Sequence, residues 1–552
     1  MKKRKVLAML LTVVLGAGTL FGCGQNANEQ AAAEPAAESQ TQTTESKAET
    51  QAEQAKEDEE PVTIEWLAYN CYAQPDPESE LVKKVEEEFN VKFDFWYVDD
   101  QNWDEVLSTK LSGGDMPDIM RVKNTANVSS YVVQGILAPI TDEILEKIPT
   151  YVEITQKYDP DNTGFIDSCY EGQQYVLKAP SLNGARPTVL VWRKDWLEKV
   201  GIEKIPSTIE EFETAIRAFK EQDPDGNGKN DTFGFSNTVM NAIFGAYGAI
   251  PMKEFRGTGT QNLFYTMKDG KVEFACVQPE MKEALAKLRE WYKEGLIDPE
   301  FITGENKSGY WAVSQDFDNS KVGVTGMSMA NHWEPPLTEG ATGGACYVSF
   351  TEANPDAVWE ETFDIGPSIK GPEGKSGTHC WGAYGTSGFA FTTKCMEDPR
   401  KVDAICAILE RGLSDFDFYV LGTYGVGGEH FKINDDGIYV GLEPYTGSGE
   451  GTKAGLVFVP LINPEFQMKT NPVDNEFAEK YKNTGYSDVL VPPTEAADEY
   501  LTDLKTYTLD SYIKIITGEE DIDFFDEYVE EFNSTGGQQI IDEINEMMNA
   551  GK

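Results

Sequence analysis

One loop of the chain places oxygen-bearing side chains at the spacing that a calcium ion requires. The run DPDGNGKND spans residues 223–231, and its side-chain oxygens fall at loop positions 1, 3, 5 and 9. A glycine stands at position 6, where the backbone must turn sharply, and a backbone carbonyl is available at position 7. Because calcium is bound by about six to eight oxygens, the spacing predicts a metal site formed by Asp223, Asp225, Asn227, Lys229 and Asp231.

The loop departs from a complete calcium site at position 12. That position is Gly234, so the bidentate glutamate that usually closes such a loop is missing. A solvated turn between two elements is the alternative, since Asp, Asn and Gly are also the ordinary residues of turns. Calcium, where it binds, is expected to hold the loop in shape and to take no part in chemistry.

Aromatic residues beside polar ones form the second set of candidates. A sugar site stacks Trp or Tyr on the apolar C–H faces of the rings and places amide, carboxylate or guanidinium groups at the hydroxyls. The chain has 10 Trp and 24 Tyr, enough for several such platforms. Ligand contacts are predicted after the first strand, at two expected linkers and in one polar loop, for Trp66, Tyr69, Asn70, Trp192, Arg193, Asn331, Trp333, His379, Trp381 and Tyr384.

Each of these aromatic residues has a second interpretation, because buried aromatic side chains are common in protein cores. Trp66, Trp333 and Trp381 are the best candidates for stacking, since they are expected in loops or at strand ends. For Arg193, a structural ion pair is the alternative to a sugar contact. No residue is predicted to be catalytic.

Charge and motif content exclude several functions. The chain of 552 residues carries 94 Asp+Glu against 47 Lys+Arg, which argues against binding nucleic acid or anionic lipid headgroups. The sequence GKS at residues 374–376 lacks the first glycine of a phosphate loop, and neither HExxH nor GxSxG occurs. In so acidic a chain, some pairs of carboxylates lie at glycosidase spacing by chance, so such pairs are no evidence for catalysis. A cell-surface glycosidase is therefore only the second candidate class.

The N-terminus predicts an export and anchoring signal. A basic MKKRK segment precedes an apolar run at residues 6–15 that is too short to span a bilayer, and Leu20-Phe21-Gly22-Cys23 follows. This order resembles a bacterial lipobox, which implies cleavage before Cys23 and lipid attachment to its thiol. An ordinary secretory signal is the alternative. Residues 24–60 are rich in Ala, Glu, Gln, Ser and Thr, which predicts a disordered tether.

Hydrophobic patterns after residue 61 predict an α/β protein. Strands at 62–67 and 91–96 alternate with helices at 78–89 and 103–111, as in a parallel sheet with helical crossovers. A similar cycle begins near residue 188. The helix at 207–219 is expected to start with a capping box formed by Ser207 and Glu210. Two α/β units, each with its own sheet, are therefore expected.

Four segments resemble one family, the lipoprotein solute-binding proteins of ABC importers of the large oligosaccharide-binding kind. They lie at residues 102–118, 191–208, 291–300 and 424–430. The resemblance implies a periplasmic-binding-protein-like fold, in which two α/β lobes are joined by a hinge that the chain crosses several times. The loop at residues 223–231 likewise resembles the EF-hand-like calcium loop of alginate-binding relatives.

The sequence patterns and the resemblance together predict a division of the chain. The predicted parts are a lipoprotein signal peptide at 1–22, the acidic tether at 23–60, the first lobe at 61–184 and the second lobe at 185–375. The first lobe is expected to resume at 376–445, and 446–552 to belong mainly to the second lobe and the hinge. Hinge crossings are expected near residues 181–187, 376–384 and 440–460.

The function implied is that of a lipid-anchored receptor on the outer face of the cell membrane. It is expected to be a monomer that binds an oligosaccharide or modified sugar between its lobes and delivers it unchanged to permease subunits of an ABC importer. Peptides or other small solutes are the alternative ligands. Anionic uronides are disfavoured by the acidic surface unless Arg186, Arg193 or Arg256 faces the cleft.

Overall fold

The computed structural model describes residues 60–99, 102–159, 163–180, 182, 186–253, 255, 263–302, 314–337, 343–380, 384, 387–459, 463–481 and 484–550. Val62–Ala550 forms one compact unit. Three predictions lie outside the described residues: the signal and tether with Cys23, the ring of Trp381, and the guanidinium of Arg256. Among the described helices, none combines the length and apolarity needed to cross a membrane.

Fifteen strands occur in the described part of the chain. In chain order they are β1 (Val62–Leu67), β2 (Val91–Phe95), β3 (Ile119–Val122), β4 (Cys169–Tyr170), β5 (Gln173–Gln174), β6 (Val189–Arg193), β7 (Tyr265–Lys268), β8 (Lys271–Phe274), β9 (Val324–Ser328), β10 (Phe363–Gly366), β11 (Thr378–Cys380), β12 (Gly388–Phe391), β13 (Phe431–Ile433), β14 (Tyr439–Gly441) and β15 (Gly485–Ser487).

The α-helices of the described residues are longest near the C-terminus. They are α1 (Glu80–Phe89), α2 (Trp103–Ser112), α3 (Val128–Val133), α4 (Asp142–Leu145), α5 (Pro149–Tyr158), α6 (Lys194–Lys199), α7 (Ile209–Glu221), α8 (Met240–Tyr247), α9 (Pro279–Lys293), α10 (Gln315–Asp318), α11 (Ala345–Ala353), α12 (Trp359–Thr362), α13 (Pro399–Ser414), α14 (Phe416–Tyr424), α15 (Ser448–Lys453), α16 (Pro464–Thr470), α17 (Pro472–Lys480), α18 (Glu495–Thr517), α19 (Phe524–Phe532) and α20 (Gln538–Ala550).

The first sheet has the strand order β12-β3-β1-β2. β1 runs parallel to β2 and β3, as the strand–helix alternation predicted, and β12 adds an antiparallel edge strand from much later in the chain. Apolar residues such as Ile64, Val85 and Leu107 pack the sheet against its helices in a first core. We call the elements around this core the first lobe.

The second sheet has the order β10-β6-β9, and both neighbours run antiparallel to β6. Every residue of β6 is buried, with Leu190 and Trp192 in one core and Val189 and Val191 in another on the opposite face. The long insertions between these strands let the chain return in either direction, whereas a single helical crossover forces a parallel pair. We call the elements around these two cores the second lobe.

One local prediction was wrong by a residue. The side chain of Thr208, not Ser207, caps α7 by accepting a hydrogen bond from the backbone N–H of Glu211. The carboxylate of Glu211 in turn accepts hydrogen bonds from the backbone N–H and the hydroxyl of Ser207. The cap therefore lies one position later than expected, and the returning bonds from the glutamate reach Ser207, the residue before the cap.

The described chain passes between the lobes three times. Near the passages, β11 pairs in parallel with β15, and Pro187 forms a bridge to Cys380, so the crossing segments are tied to one another. Core residues flank each passage: Leu177 and Val189 the first, Ile369 and Tyr384 the second, Phe458 and Phe477 the third. Core residues from Tyr384 to Phe458 thus pack with the first lobe, and the boundaries drawn from the sequence stay predictions.

Candidate functional site

Polar and aromatic side chains follow the strands at the carboxyl edge of the first sheet. Tyr69 and Asn70 come directly after β1, and Lys123 and Asn124 come directly after β3. The antiparallel strand β12 begins at this same edge, just after the second passage between the lobes. Open α/β sheets bind ligands outside the carboxyl ends of their strands, so this edge is where a ligand site is expected.

A pocket of about 270 Å³ opens at this edge. Its aromatic walls come from the segment after β1 and from α14, and the amide of Asn70 adds a polar group. Ligand pockets usually measure about 300–1,000 Å³, so this volume fits one part of a larger ligand. The lining residues that matter here are Tyr69, Asn70, Tyr72, Phe418, Tyr419 and Val457.

The pocket walls are held by contacts deeper in the first lobe. The hydroxyl of Tyr69 donates to the backbone carbonyl of Trp96 at 2.8 Å, and burial raises the pKa of Tyr69 well above its usual value. The ring of Tyr419 packs against Phe466 with centroids 5.5 Å apart, and burial raises the pKa of Tyr419 to about 12. Both phenols are therefore neutral hydrogen-bonding groups at physiological pH.

Two exposed apolar residues line the same pocket. Tyr72 is 56% exposed and Val457 is 42% exposed. Val457 has a backbone φ of 53°, a conformation that a β-branched residue rarely adopts, and its N–H donates to the carbonyl of Gly422 at 2.7 Å. Strain of this kind is concentrated at functional sites, which supports this pocket as a place where a ligand is bound.

Trp66 lies in the first core instead of the pocket. Its side chain is fully buried, its ring packs edge-on to Phe93 at 5.3 Å, and its indole N–H donates to the carbonyl of Phe458 at 3.1 Å. No face of this ring is open to a ligand in this conformation. The buried interpretation of Trp66 is the one that its surroundings support.

Three further predicted residues occupy the second lobe. Trp192 and Trp333 are fully buried, and the indole N–H of Trp333 donates to the hydroxyl of Ser328 at 2.6 Å. Arg193 donates to both carboxylate oxygens of Asp195, at 2.8 and 2.6 Å. That fork, with the guanidinium 4.7 Å from the ring of Trp196, is the structural ion pair considered as the alternative.

The remaining predicted contacts lie near the passages between the lobes. His379 is buried against Phe264, with ring centroids 5.2 Å apart, and burial lowers its pKa to about 3, so the imidazole is neutral. Tyr384 is buried against Phe165, and Asn331 is partly exposed. Of the predicted set, Tyr69 and Asn70 meet in the pocket; ligand contacts for the others stay predictions.

The acidic loop brings its predicted ligands together. The side-chain amide of Asn227 donates to Asp225 at 2.6 Å and to Asp231 at 3.0 Å. The carboxylate of Asp223 accepts from the N–H of Gly228 at 2.9 Å, and contact with Asp225 lowers the pKa of Asp223. Burial, together with this neighbouring charge, raises the pKa of Asp225. The carboxylates of Asp225 and Asp231 therefore meet at the amide of Asn227, and the carboxylate of Asp223 is held by the loop backbone.

Position 12 of the loop has a structural reason to be glycine. A Cβ at Gly234 would lie 2.4 Å from the Cβ of Ile216, so no larger side chain fits. The hydroxyl of Thr232 points inward and donates to the carbonyl of Phe219 at 2.7 Å. No group of three His, Cys, Asp or Glu side chains within the described ranges is already arranged around a metal position.

Sequence reasoning missed a buried ion pair near the first passage. The ammonium of Lys178 is fully buried and lies 2.7 and 3.0 Å from the two carboxylate oxygens of Asp167, which also accepts from the hydroxyl of Thr125 at 2.7 Å. No local pattern marks these three residues, because they come from separate segments. Phe418 and Tyr419 of the pocket were missed for the same reason.

Comparison with known proteins identifies the relatives of this chain. Residues 73–334 match the family described as bacterial extracellular solute-binding protein. The chain is 25% identical over 558 aligned residues to the polygalacturonan/rhamnogalacturonan-binding protein YtcQ of Bacillus subtilis (strain 168), covering 100% of this chain and 99% of the relative. It is 23% identical to lipoprotein LipO of the same organism, covering 87% of this chain and 90% of LipO.

A solved structure with a similar fold is the alginate-binding protein AlgQ2 without calcium ion. It has a TM-score of 0.62 and 19% identity, and the match covers 88% of this chain and 98% of that one. The resemblance to solute-binding proteins and the two-lobed α/β fold inferred from the sequence are thereby confirmed. The family and these relatives are described by binding and not by catalysis, which supports the prediction that this chain is not an enzyme.

Proposed function

We propose that this chain, whose residues 73–334 match the bacterial extracellular solute-binding proteins, is the receptor of an ABC importer. It binds an oligosaccharide between its two lobes and presents it to the permease subunits in the membrane. A lipid on Cys23 anchors it to the outer face of the cell membrane, and it acts as a monomer. A peptide receptor is the second candidate.

One observation carries the choice of an oligosaccharide. The chain aligns over its whole length with a relative named for binding polygalacturonan and rhamnogalacturonan. The pocket at the first sheet supports this choice, because it combines aromatic rings, of which that of Tyr72 is exposed, with a side-chain amide. Rings that stack on sugar faces and amides that bind hydroxyls are what such a ligand requires.

The named ligands of that relative make uronate-containing oligosaccharides the first class to test. Of the three arginines considered from the sequence, Arg193 pairs with Asp195, and Arg186 lies at the first passage between the lobes, 3.7 Å from the carboxylate of Glu479. Arg186 donates to the side chain of Asn475 at 3.1 Å, and the N–H donors of its guanidinium form a fork that matches a carboxylate. We assign Arg186 as the group that meets a uronate carboxylate.

A thermal-shift panel tests the ligand class. Oligogalacturonides, rhamnogalacturonan fragments, neutral xylo-, manno-, gluco- and galacto-oligosaccharides and a peptide pool are added to the protein in turn. A ligand raises the melting temperature because it stabilises the folded state by RT ln(1 + [L]/Kd). Shifts with peptides and none with any sugar would overturn the oligosaccharide assignment, and steady release of reducing sugar would establish a glycosidase instead.

Tyr72→Ala is expected to weaken oligosaccharide binding without changing stability. The side chain is 56% exposed, so its removal costs little packing, but it withdraws one stacking face from the pocket. A loss of about 1–2 kcal/mol, or roughly five- to thirtyfold in Kd, is expected by calorimetry. Tyr97→Ala is the matched control, because Tyr97 is 40% exposed and is not among the residues that line this pocket. Equal losses in both variants would contradict the site.

We also propose that the acidic loop binds calcium. The carboxylates of Asp223, Asp225 and Asp231, the amide oxygen of Asn227 and the carbonyl of Lys229 would hold the ion. The contact of both Asp225 and Asp231 with the amide of Asn227 supports this assignment, and one oxygen of Asp223 is buried with no hydrogen-bond partner among the described residues. Calcium would supply a cross-link at the end of α7 and no chemistry.

Calcium is expected to raise the melting temperature of the wild-type protein and not that of Asp223→Ala or Asp225→Ala. At a free concentration of about 100 times Kd, the gain in unfolding free energy is about 2.7 kcal/mol. Asn230→Ala is the control, because position 8 of such a loop supplies no ligand. If calcium still raises the melting temperature of both aspartate variants, the ion does not bind at this loop.

A further inference from the structure

The third passage between the lobes can be placed at a single residue. Helix α16 packs with the first lobe, since Phe466 lies 5.3 Å from Phe416 between ring centroids. Helix α17 packs with the second lobe through Phe477, whose ring lies 6.1 Å from that of Trp359. The residue between the two helices is Asn471, so the chain changes lobes there.

Two acidic side chains meet directly beside this passage. Asp474 lies in the first turn of α17, and the side-chain amide of Asn471 donates a hydrogen bond to its carboxylate. Glu334 follows a short turn in the second lobe and is 8% exposed. Its backbone carbonyl is fixed by the N–H of Gly344 at 2.9 Å, and its carboxyl group contacts that of Asp474.

The surroundings of Glu334 do little to stabilise its ionised form. Its Oε2 atom is buried without a hydrogen-bond partner among the described residues. Burial, reinforced by the charge of Asp474, raises the pKa of Glu334 to about 8, and burial raises the pKa of Asp474 as well. Two buried carboxyl groups in contact cannot both ionise at low cost.

The cation that contacts α17, Arg186 from the first passage, donates to Asn475 and pairs with Glu479 at 3.7 Å, so its charge is already matched on that helix. On the turn that carries Glu334, burial lowers the pKa of His332 to about 4, so this ring is neutral. On α14, the hydroxyl of Tyr424 donates to Thr470 at 3.1 Å, and burial, with the charge of Asp474, raises the pKa of Tyr424. The proton on the carboxyl pair is therefore what neutralises it.

We propose that Glu334 and Asp474 share one proton and form a latch that holds α17 to the second lobe at the third passage. Loss of the proton leaves two adjacent carboxylates, which repel and release the first turn of α17 together with Asn471. The passage then moves more freely, and the bound ligand is held less tightly. The effect on ligand retention rests on the proposed receptor function; the latch itself does not.

The raised pKa of Glu334 decides whether stability rises or falls with pH. The pKa of Glu334 is about 8 in the folded protein and about 4.3 in an unfolded chain. The folded state therefore holds a proton that the unfolded state lacks throughout this window, and stability falls as the pH rises through it. One proton changes the folding equilibrium constant by at most about tenfold per pH unit.

Urea unfolding across the range from about pH 5 to about pH 9 tests the latch without any ligand. Glu334→Gln and Asp474→Asn are each expected to flatten the fall in stability between about pH 6 and pH 8, because neither variant can form the proton-sharing pair. Asp318→Asn is the control: burial raises the pKa of this carboxyl to about 6, and its partner is Ser349. It should flatten only the more acidic part of the curve. Slopes at about pH 7 to 8 that match the wild type in both latch variants would overturn the proposal.

The dissociation constant of the sugar that gives the largest thermal shift, measured over the same range, tests the regulation. In the wild type it is expected to increase by up to about tenfold per pH unit near pH 8, and in Glu334→Gln to depend less on pH. A flattened stability curve with an unchanged pH dependence of binding would overturn the regulatory role. Absence of binding to every sugar at every pH, with the stability result intact, would instead reject the proposed function.

Discussion

Replacing Asp167 by alanine is expected to destabilise the folded protein by about 3–5 kcal/mol. The variant leaves the fully buried ammonium of Lys178 without its counter-ion and leaves the hydroxyl of Thr125 without its acceptor. Burial already lowers the pKa of Lys178 in the intact pair. Without the carboxylate, the ammonium must either lose its proton or be exposed to water, and both outcomes cost stability.

The measurement is chemical denaturation of Asp167→Ala, Asp167→Leu, Lys178→Met and the double variant Asp167→Leu/Lys178→Met. A buried ion pair replaced as a whole by apolar residues is often nearly neutral, whereas removal of one partner is costly. The double variant should therefore be more stable than Asp167→Ala alone. If the losses of stability in Asp167→Leu and Lys178→Met simply add up to that of the double variant, the pair is not coupled in the way its geometry indicates.

Trp66→Ala is expected to destabilise the first lobe by about 3–5 kcal/mol, as large-to-small changes in a core do. The ring is fully buried between Phe93 and Phe458 and donates one hydrogen bond to a backbone carbonyl. Its removal opens a cavity and leaves that carbonyl without a donor. Trp66→Phe keeps most of the apolar contact and should lose considerably less stability.

This result separates the two interpretations of Trp66. A core residue lowers the melting temperature when truncated, with or without ligand, and Trp66→Phe restores most of it. A stacking residue behaves like Tyr72, whose exposed ring can be removed without loss of stability. If Trp66→Ala keeps the wild-type melting temperature and loses much of its sugar affinity, Trp66 is a ligand contact and not a core residue.

Local patterns predicted much of the fold, because they act over a few residues. The alternation of strands and helices after Val62 predicted the parallel part of the first sheet, which needs only short crossovers. It did not predict the antiparallel second sheet, whose strands β6, β9 and β10 are separated by long insertions. Register between such distant strands depends on the whole packed lobe.

The candidate site was predictable only where position along a strand decides the outcome. Tyr69 and Asn70 follow β1 immediately, so the carboxyl edge of the sheet could be assigned to them. Trp66 is three residues earlier, and its ring points into the core, because successive side chains alternate between the two faces of a strand. The sequence could not show that Phe458, a residue far along the chain, would cover the face of the sheet on which Trp66 lies.

The sequence alone therefore determined the features that neighbouring residues define. These are the lipobox-like N-terminus, the spacing of oxygens in the loop at 223–231, the strand–helix alternation, and the family resemblance. Each depends on contacts or recognition within about ten residues, so no knowledge of the folded chain is needed.

Only the tertiary structure decided which distant groups meet. It buried Trp66 against a residue 392 positions away, closed the pair of Lys178 with Asp167, and brought Glu334 to Asp474 beside the third passage. The physical reason is that pKa values, burial and the strength of an ion pair depend on the distance and dielectric around a group. Those quantities exist only once the two lobes are packed.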